Sequence, residues 1–205
     1  MFTLADVTAS AMHLVGQGAS DRYPAPRLLA HANNGVLRLG EAKPELFAVN
    51  VWAPTVANSV EQSYATRKIL NVTAVRSGTD ERGLLPLDVV SLSAWDPTWR
   101  STTAGVPRQG VVIDRDRYVL YPPPSAGVAA LLRHVNIKDT YAGIDPINLP
   151  SSFLPPLADY VVGMAEMADE EHVNSNRAAG LLQAFFAAVG VTRPAPAGGG
   201  NGKPQ

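Results

Sequence analysis

Four histidines, His13, His31, His134 and His172, fall in separate stretches of the chain, and no two stand at the i, i+4 spacing that presents a pair of imidazoles to one zinc ion. The carboxylates that could hold a cation or move a proton cluster twice. Asp169-Glu170-Glu171-His172 reads as the solvated end of a helix and the loop after it. Asp114 and Asp116 alternate with Arg115 and Arg117, which neutralises charge locally instead of setting two carboxyls against each other as acid and base. No serine lies in a G-x-S-x-G elbow, and no glycine-rich loop sits between strand and helix to cradle a phosphate. Gly198 to Gly202 is glycine-rich but follows a proline stretch, with nothing to position it. The chain has no cysteine, which removes thiol nucleophiles, thiolate metal sites and disulfides together. The expectation is a protein with no catalytic residue, no metal ligand set and no cofactor.

What remains is aromatic contact chemistry. Trp52, Trp95 and Trp99 suit two roles: anchors of a β-rich core, where large rings dominate burial, or exposed rings at an interface, where tryptophan and tyrosine are favoured. Tyr121, followed by Pro122-Pro123-Pro124, is either a strand terminus or a rigid ledge for a neighbour. Trp95, Trp99 and Tyr121 are the candidate interface aromatics.

The elements that must position these residues are set by composition and period. With 205 residues, 46% hydrophobic and 17% charged, the chain can bury a core of its own as one domain, or one domain with a large insertion. The net charge of −1 excludes the basic surface that grips nucleic acid non-specifically. No stretch resembles a signal peptide or the roughly 20 apolar residues of a membrane span, so a soluble protein without a membrane partner is expected.

Thr3-Leu4-Ala5-Asp6 has the spacing of a capping box, and Leu4, Val7, Ala11 and Leu14 follow on one helical face, with Gly16 and Gly18 as the stop. Pro24 and Pro26 open a second helix with the stripe Leu28, Leu29, Ala32, Val36 and Leu39, which Asn33-Asn34-Gly35 can interrupt. From Leu46 to Asn136 the period changes to two. Val49 to Trp52, Ile69 to Val75, Leu87 to Val90, Gln109 to Ile113 and Tyr118 to Tyr121 read as strands, the last two a hairpin across Asp114 to Arg117. The three prolines require that strand to finish at an edge, and Gly127 to Val135 reads as a return strand.

Two helices follow. The first carries the stripe Leu157, Tyr160, Val161, Met164 and Ala168, with Asp159, Glu166 and Glu170 on another face. The second, capped by Asn174 or Ser175, carries Ala178, Leu181, Leu182, Phe185 and Val189 and stops at Gly190. Beyond it Val191 to Gln205 lacks the apolar content to offset its own ordering entropy, and a disordered tail is expected. The fold class is therefore α+β: residues 1–43 an N-terminal helical hairpin, 44–150 a β-rich insertion, 151–190 a C-terminal helical pair completing the bundle, and 191–205 a flexible tail.

In this order the residues resemble a family, the head-to-tail adaptor proteins of tailed bacteriophages that sit beneath the portal, especially the short-tailed phage type. The likeness rests on Leu4-Ala5-Asp6-Val7, on Tyr23-Pro24 leading to Arg27-Leu28-Leu29, on Asp96 to Trp99 and on Tyr121 to Pro124. It continues through Asp145-Pro146-Ile147, Leu157-Ala158-Asp159-Tyr160-Val161, the acidic turn at Asp169 and Asn176-Arg177-Ala178-Ala179 before Phe185 and Gly190, and so covers most of the chain. The second helix departs from the family pattern in lacking a tryptophan near Ala30.

The resemblance implies a virion structural protein of the neck, assembled in the host cytoplasm as a ring of about twelve copies, each contacting its neighbours head to tail through two different surfaces. The ring would lie on the portal protein, extend the DNA channel without binding DNA specifically, and offer a platform to a tail or nozzle protein. The position matching the family's portal-docking segment is the tail, with Val191, Thr192, Arg193, Pro194, Lys203 and Gln205 as candidate contacts. Two other roles fit the same residues: a head-closure or tail-completion ring further from the portal, and a β-rich carbohydrate-binding module stacking sugars on Trp95, Trp99 and Tyr121.

Overall fold

A computed structural model describes residues 1–16, 22–168 and 175–190. In chain order the elements are β1 (Phe2–Thr3), α1 (Leu4–Val15), α2 (Ala25–Ala42), β2 (Ala48–Pro54), β3 (Glu61–Ser63), β4 (Ile69–Ser77), β5 (Asp80–Gly83), β6 (Leu85–Pro86), α3 (Val89–Trp95), β7 (Gln109–Val112), β8 (Arg117–Tyr121), β9 (Val128–Val135), β10 (Pro146–Ile147), α4 (Leu154–Met167) and α5 (Ser175–Val189). The architecture is α+β, in two compact units: Met1–Lys43 with the described residues from Asp139 onward, and Pro44–Lys138.

The helical unit is organised around α4, which packs against α1, α2 and α5. Its start is local chemistry. The Thr3 hydroxyl accepts from the Asp6 amide at 3.2 Å while the Asp6 carboxylate accepts from the Thr3 amide at 2.8 Å, closing the expected capping box. The Thr3 amide, and to a lesser extent the Thr3 hydroxyl donating at 2.9 Å, favour the ionised acid, so the Asp6 carboxyl is held below its usual range. Gly16, at φ 87°, takes the left-handed turn that ends α1. Leu4, Val7 and Ala11 are buried, but Leu14 is 45% exposed because it lies at the margin of the stripe, in the last turn.

Helix α2 runs unbroken through Asn33-Asn34-Gly35, where an interruption was expected as possible. Two tertiary effects hold it. The Asn33 amide oxygen accepts from the Tyr141 N–H at 2.7 Å, and its nitrogen donates to the carbonyls of Tyr141 and Leu29, each at 3.1 Å. Gly35 faces α4 so closely that a Cβ there would lie 2.9 Å from Cδ1 of Tyr160; the glycine permits close approach and marks no break.

The segment returning from the strands is bonded into this unit as well. The Ala5 amide donates to the Gly143 carbonyl at 2.9 Å, and β1 pairs with β10 through Phe2↔Ile147 and Thr3↔Pro146. Residues 139–150, placed by sequence with the β-rich insertion, thus lie in the helical unit.

Enclosure of α4 on several sides has a cost that periodicity did not show. Glu166, expected on a polar face, is buried, while Ala168 of the expected stripe is exposed and Met164 half-buried. The end of α4 finds a cation, since the Arg27 guanidinium donates to the carbonyl of its cap residue Ala168 at 2.9 Å. On α5, Ala178, Leu182, Phe185 and Val189 are buried as expected, Leu181 is half-buried, and Gly190 turns at φ 74°. The cap at Asn174 or Ser175, the Asp169 to His172 cluster and the tail from Val191 lie outside the described residues or side chains.

The strand unit holds two four-stranded sheets, ordered β2-β9-β4-β5 and β3-β8-β7-β6. The Gly127 to Val135 strand is therefore the interior of one sheet, antiparallel to both β2 and β4, and not a neighbour of the hairpin that precedes it. Its blurred alternation follows: Val128, Ala130 and Leu132 are buried in the core with Val72, Val75, Tyr118 and Leu120, while Ala129 and Leu131 on the opposite face are half-covered. The hairpin forms as expected, β7 antiparallel to β8.

Strand β8 does not finish at an edge, as the prolines suggested. It lies between β3 and β7, and Pro122 to Pro124 come just after its last residue, where no ladder amide is needed. Their carbonyls still serve: Pro123 accepts from Gly105 at 2.8 Å and Pro124 from Asn58 at 2.9 Å.

Leu87 to Val90 is not a strand either. Asp88 caps α3, its carboxylate accepting from the amides of Val90 at 3.0 Å and Ser91 at 3.2 Å, and this cap overrides the β preference of Val89-Val90.

Candidate functional site

The three candidate aromatics fall in very different surroundings. Asp96 makes the turn after α3, its carboxylate accepting from the Thr98 amide at 3.0 Å and the Thr98 hydroxyl at 2.7 Å. That turn sends Trp99 inward, where it is fully buried among Val60, Leu87, Leu92 and Val119. The Trp99 indole N–H donates to the Ser93 hydroxyl at 3.0 Å, and the Ser93 hydroxyl donates to the Val89 carbonyl at 2.7 Å, so the ring also ties the preceding helix α3 down. An interface role for the free Trp99 ring is corrected here: satisfied and enclosed, it is a core anchor.

Tyr121 stands half-buried and edge-on to Trp99, with ring centroids 6.3 Å apart, and the Arg100 guanidinium lies 4.4 Å from the Trp99 ring centroid. Trp95, only four residues before Trp99, is 84% exposed, and Val90 on the same helix is 80% exposed. Helix α3 therefore turns Val90, Ala94 and Trp95 outward while Leu92 holds it to the core. Trp52, on the outer face of its sheet, is half-buried beneath Arg76, whose guanidinium lies 4.8 Å from the ring centroid.

The groups capable of chemistry are dispersed. Among the described residues no three histidine or acidic side chains gather as a metal ligand set. Asp114 is occupied by the Arg115 amide at 2.7 Å and the Arg117 guanidinium at 3.1 Å, which hold its carboxyl below the usual carboxylate range, chiefly through the backbone bond. The His31 ring is half-buried, neither ring nitrogen has a hydrogen-bond partner among the described residues, and burial, with Arg27 as a lesser cause, pushes its pKa down. The Tyr118 hydroxyl is buried with no hydrogen-bond partner among the described residues, and burial pushes it up to about 12.

One buried charge was not legible as such. The Glu166 carboxylate meets the Arg177 guanidinium at 3.0 Å, and its second oxygen is buried with no hydrogen-bond partner among the described residues. Arg177 also donates to the Leu14 carbonyl at 2.9 Å, so one side chain links α5 to α4 and to the end of α1. The only sequence signal was the i+11 separation of an acid and a base on successive helices, which many pairs share. None of these groups forms a nucleophile with its base, and the candidate site is a surface: the outward face of α3 with Trp95.

No curated protein matches the chain. Among solved structures it is similar to a chain described as "Neck of native GTA particle computed with C12 symmetry", at 12% sequence identity and a TM-score of 0.29, over 85% of this chain and 86% of that one. The model of the SU10 adaptor protein family matches residues 2–201. With nearly its whole length inside that match, this chain belongs to the SU10 adaptor protein family.

Proposed function

We propose that the protein is a non-enzymatic head-to-tail adaptor of a tailed phage, a ring of about twelve copies bound beneath the portal that extends the DNA channel and receives the tail. The observation that carries this reading is the family match across residues 2–201. The net charge of −1 agrees with it, because a strongly basic channel wall would hold phosphates and slow DNA passage. In this reading Trp95 on the open face of α3 is a subunit or tail contact, since an exposed tryptophan beside an exposed valine favours burial against a partner. Residues Val191 to Gln205, with Val191, Thr192, Arg193, Pro194, Lys203 and Gln205 as contacts, dock on the portal. The sugar-binding alternative loses support, because a stacking platform needs neighbouring exposed rings and Trp99 is enclosed with Tyr121 half-buried against it.

Electron microscopy of the purified protein mixed with portal rings tests the reading, using the full chain and a chain ending at Gly190. The full chain is expected to form a ring on the portal face and the shortened one to bind weakly. Subunits seated further down the neck, or equal binding by both chains, would contradict the portal-proximal assignment or the docking role of the tail respectively.

A further inference from the structure

The sheet β2-β9-β4-β5 ends in two bare edges, and their polarity and chemistry are matched. The bonds flanking β2 set its parity: the Asn136 amide donates to the Phe47 carbonyl at 2.9 Å, and the Thr55 amide donates to the Val128 carbonyl at 3.1 Å. An antiparallel ladder alternates bonded and non-bonded pairs, and the register runs from Ala48↔Val135 to Pro54↔Ala129. Residues 49, 51 and 53 therefore aim their amides and carbonyls at β9, while Ala48, Asn50 and Trp52 aim theirs away. The Val135 amide, which donates to the Lys68 carbonyl at 2.9 Å on the far side of β9, agrees with this parity. Among the described residues nothing bonds the backbone of Ala48, Asn50 or Trp52 on the open side.

At the other edge the Leu84 amide donates to the Thr73 carbonyl at 2.9 Å, so Asp80 and Arg82 face β4 while Glu81 and Gly83 face outward. Main-chain groups of Glu81 and Gly83 have no backbone partner among the described residues either.

We propose that the sheet is continued from one copy of the chain to the next, the outer edge of β2 taking the outer edge of β5 of a second copy. The inference rests on the ring reading above and names the contact within it. A sheet with an even number of strands, all antiparallel, has edges that run in opposite directions. Copies related by rotation, without inversion, then meet β2 to β5 as antiparallel neighbours at every junction, and the contact is head to tail, as a ring requires.

The edges also differ in the right way. Strand β2 carries no charged residue; its one edge guard, Pro54, stands at the last position and leaves the outward amides of Ala48, Asn50 and Trp52 open. Strand β5 carries Asp80, Glu81 and Arg82, which disfavour pairing with a second β5 because Glu81 would meet Glu81. Asn50 and Glu81 lie on the same, solvent-facing side of the sheet as Arg133, the residue directly opposite Asn50 on β9. An incoming Glu81 beside Asn50 thus approaches a cation.

Because the chain has no cysteine, disulfide capture reads the contact directly. Chains carrying Ala48→Cys, Asn50→Cys or Trp52→Cys are each mixed, concentrated and mildly oxidised, with a chain carrying Glu81→Cys; the three positions cover register slips that preserve the facing side. Opposed strands place Cα atoms about 5.5 Å apart, within disulfide reach. The expected result is a cross-link between the two chains several-fold above its statistical share for at least one position. A proline at a neighbouring outward position, Asn50→Pro in the Ala48→Cys or Trp52→Cys chain and Ala48→Pro in the Asn50→Cys chain, should reduce that cross-link to background with the circular dichroism unchanged, since neither Ala48 nor Asn50 gives an amide to β9.

Statistical mixing at all three positions would overturn the proposal. So would a predominance of β2–β2 disulfides, which would indicate a twofold dimer, or a cross-link that survives the proline. These outcomes need no portal, so they stand apart from whether the protein occupies the neck.

Discussion

Two helical glycines respond to the same substitution in opposite directions if the packing of α4 on α5 is as described. Gly180 lies on α5 with nothing among the described residues within 4 Å of an added Cβ, so Gly180→Ala should gain the ordinary helix preference of alanine, about 1 kcal/mol. Gly163 lies on α4, where the same methyl would stand 2.9 Å from Cγ of Leu182 and 3.2 Å from the carbonyl oxygen of Ala178. Leu182 can shift, but a backbone carbonyl of the neighbouring helix moves only with that helix. Overpacking of this kind costs about 1–3 kcal/mol. Set against the same gain in preference, Gly163→Ala should be destabilised by about 1 kcal/mol, and the two variants should differ by about 2 kcal/mol.

Urea unfolding followed by the helix signal in circular dichroism measures the difference as a shift of midpoint at constant slope. All three tryptophans lie between Pro44 and Lys138, so their fluorescence reports on the strand unit and serves as an internal control. If Gly163→Ala rises in stability alongside Gly180→Ala, the close approach of the two helices is refuted.

Two further outcomes follow from buried polar groups. The His31 pKa is lowered by burial, so the unfolded chain binds a proton that the folded one resists; stability should be full above pH 6.5 and fall as pH drops through 6.5 toward the lower folded value. His31→Phe should flatten that part of the pH–stability curve, measured by thermal melts, and an unchanged slope would dismiss His31 as its source. Arg177→Leu leaves Glu166 buried without its cation and should cost about 2–3 kcal/mol, the exposed side of the guanidinium tempering the full penalty of a broken buried pair. Adding Glu166→Leu should recover most of that loss in the same urea assay, and a single variant as stable as the parent would show that the pair is not structural.

Features whose causes lie within a few residues were determined by the sequence alone. The capping box of Thr3 and Asp6, the stop at Gly16, the β7–β8 hairpin and the turn at Gly190 each depend on chain geometry and bonds between near neighbours. The α+β class followed from the change of period near residue 46 and back again, because burying one face of a helix or strand dictates where apolar side chains recur. Thiol chemistry was excluded by the sequence alone, because the chain has no cysteine and a residue type that is not in the chain cannot be assembled by folding.

What the tertiary structure decided is which of two equivalent residues goes inside. Trp95 and Trp99 stand four apart with similar neighbours, yet a turn at Asp96 leaves the first 84% exposed and the second fully buried. Gly35 signals a break in sequence and a close contact in the fold, because only the arrival of Tyr160 from α4 gives its missing side chain a use. Glu166 sits where a solvated acid was expected, since one helix pattern cannot reveal that other helices will surround it. The open backbone of β2 exists only once β9 has taken its other side, and strand order is set by pairings between residues some eighty apart, beyond the reach of any local period.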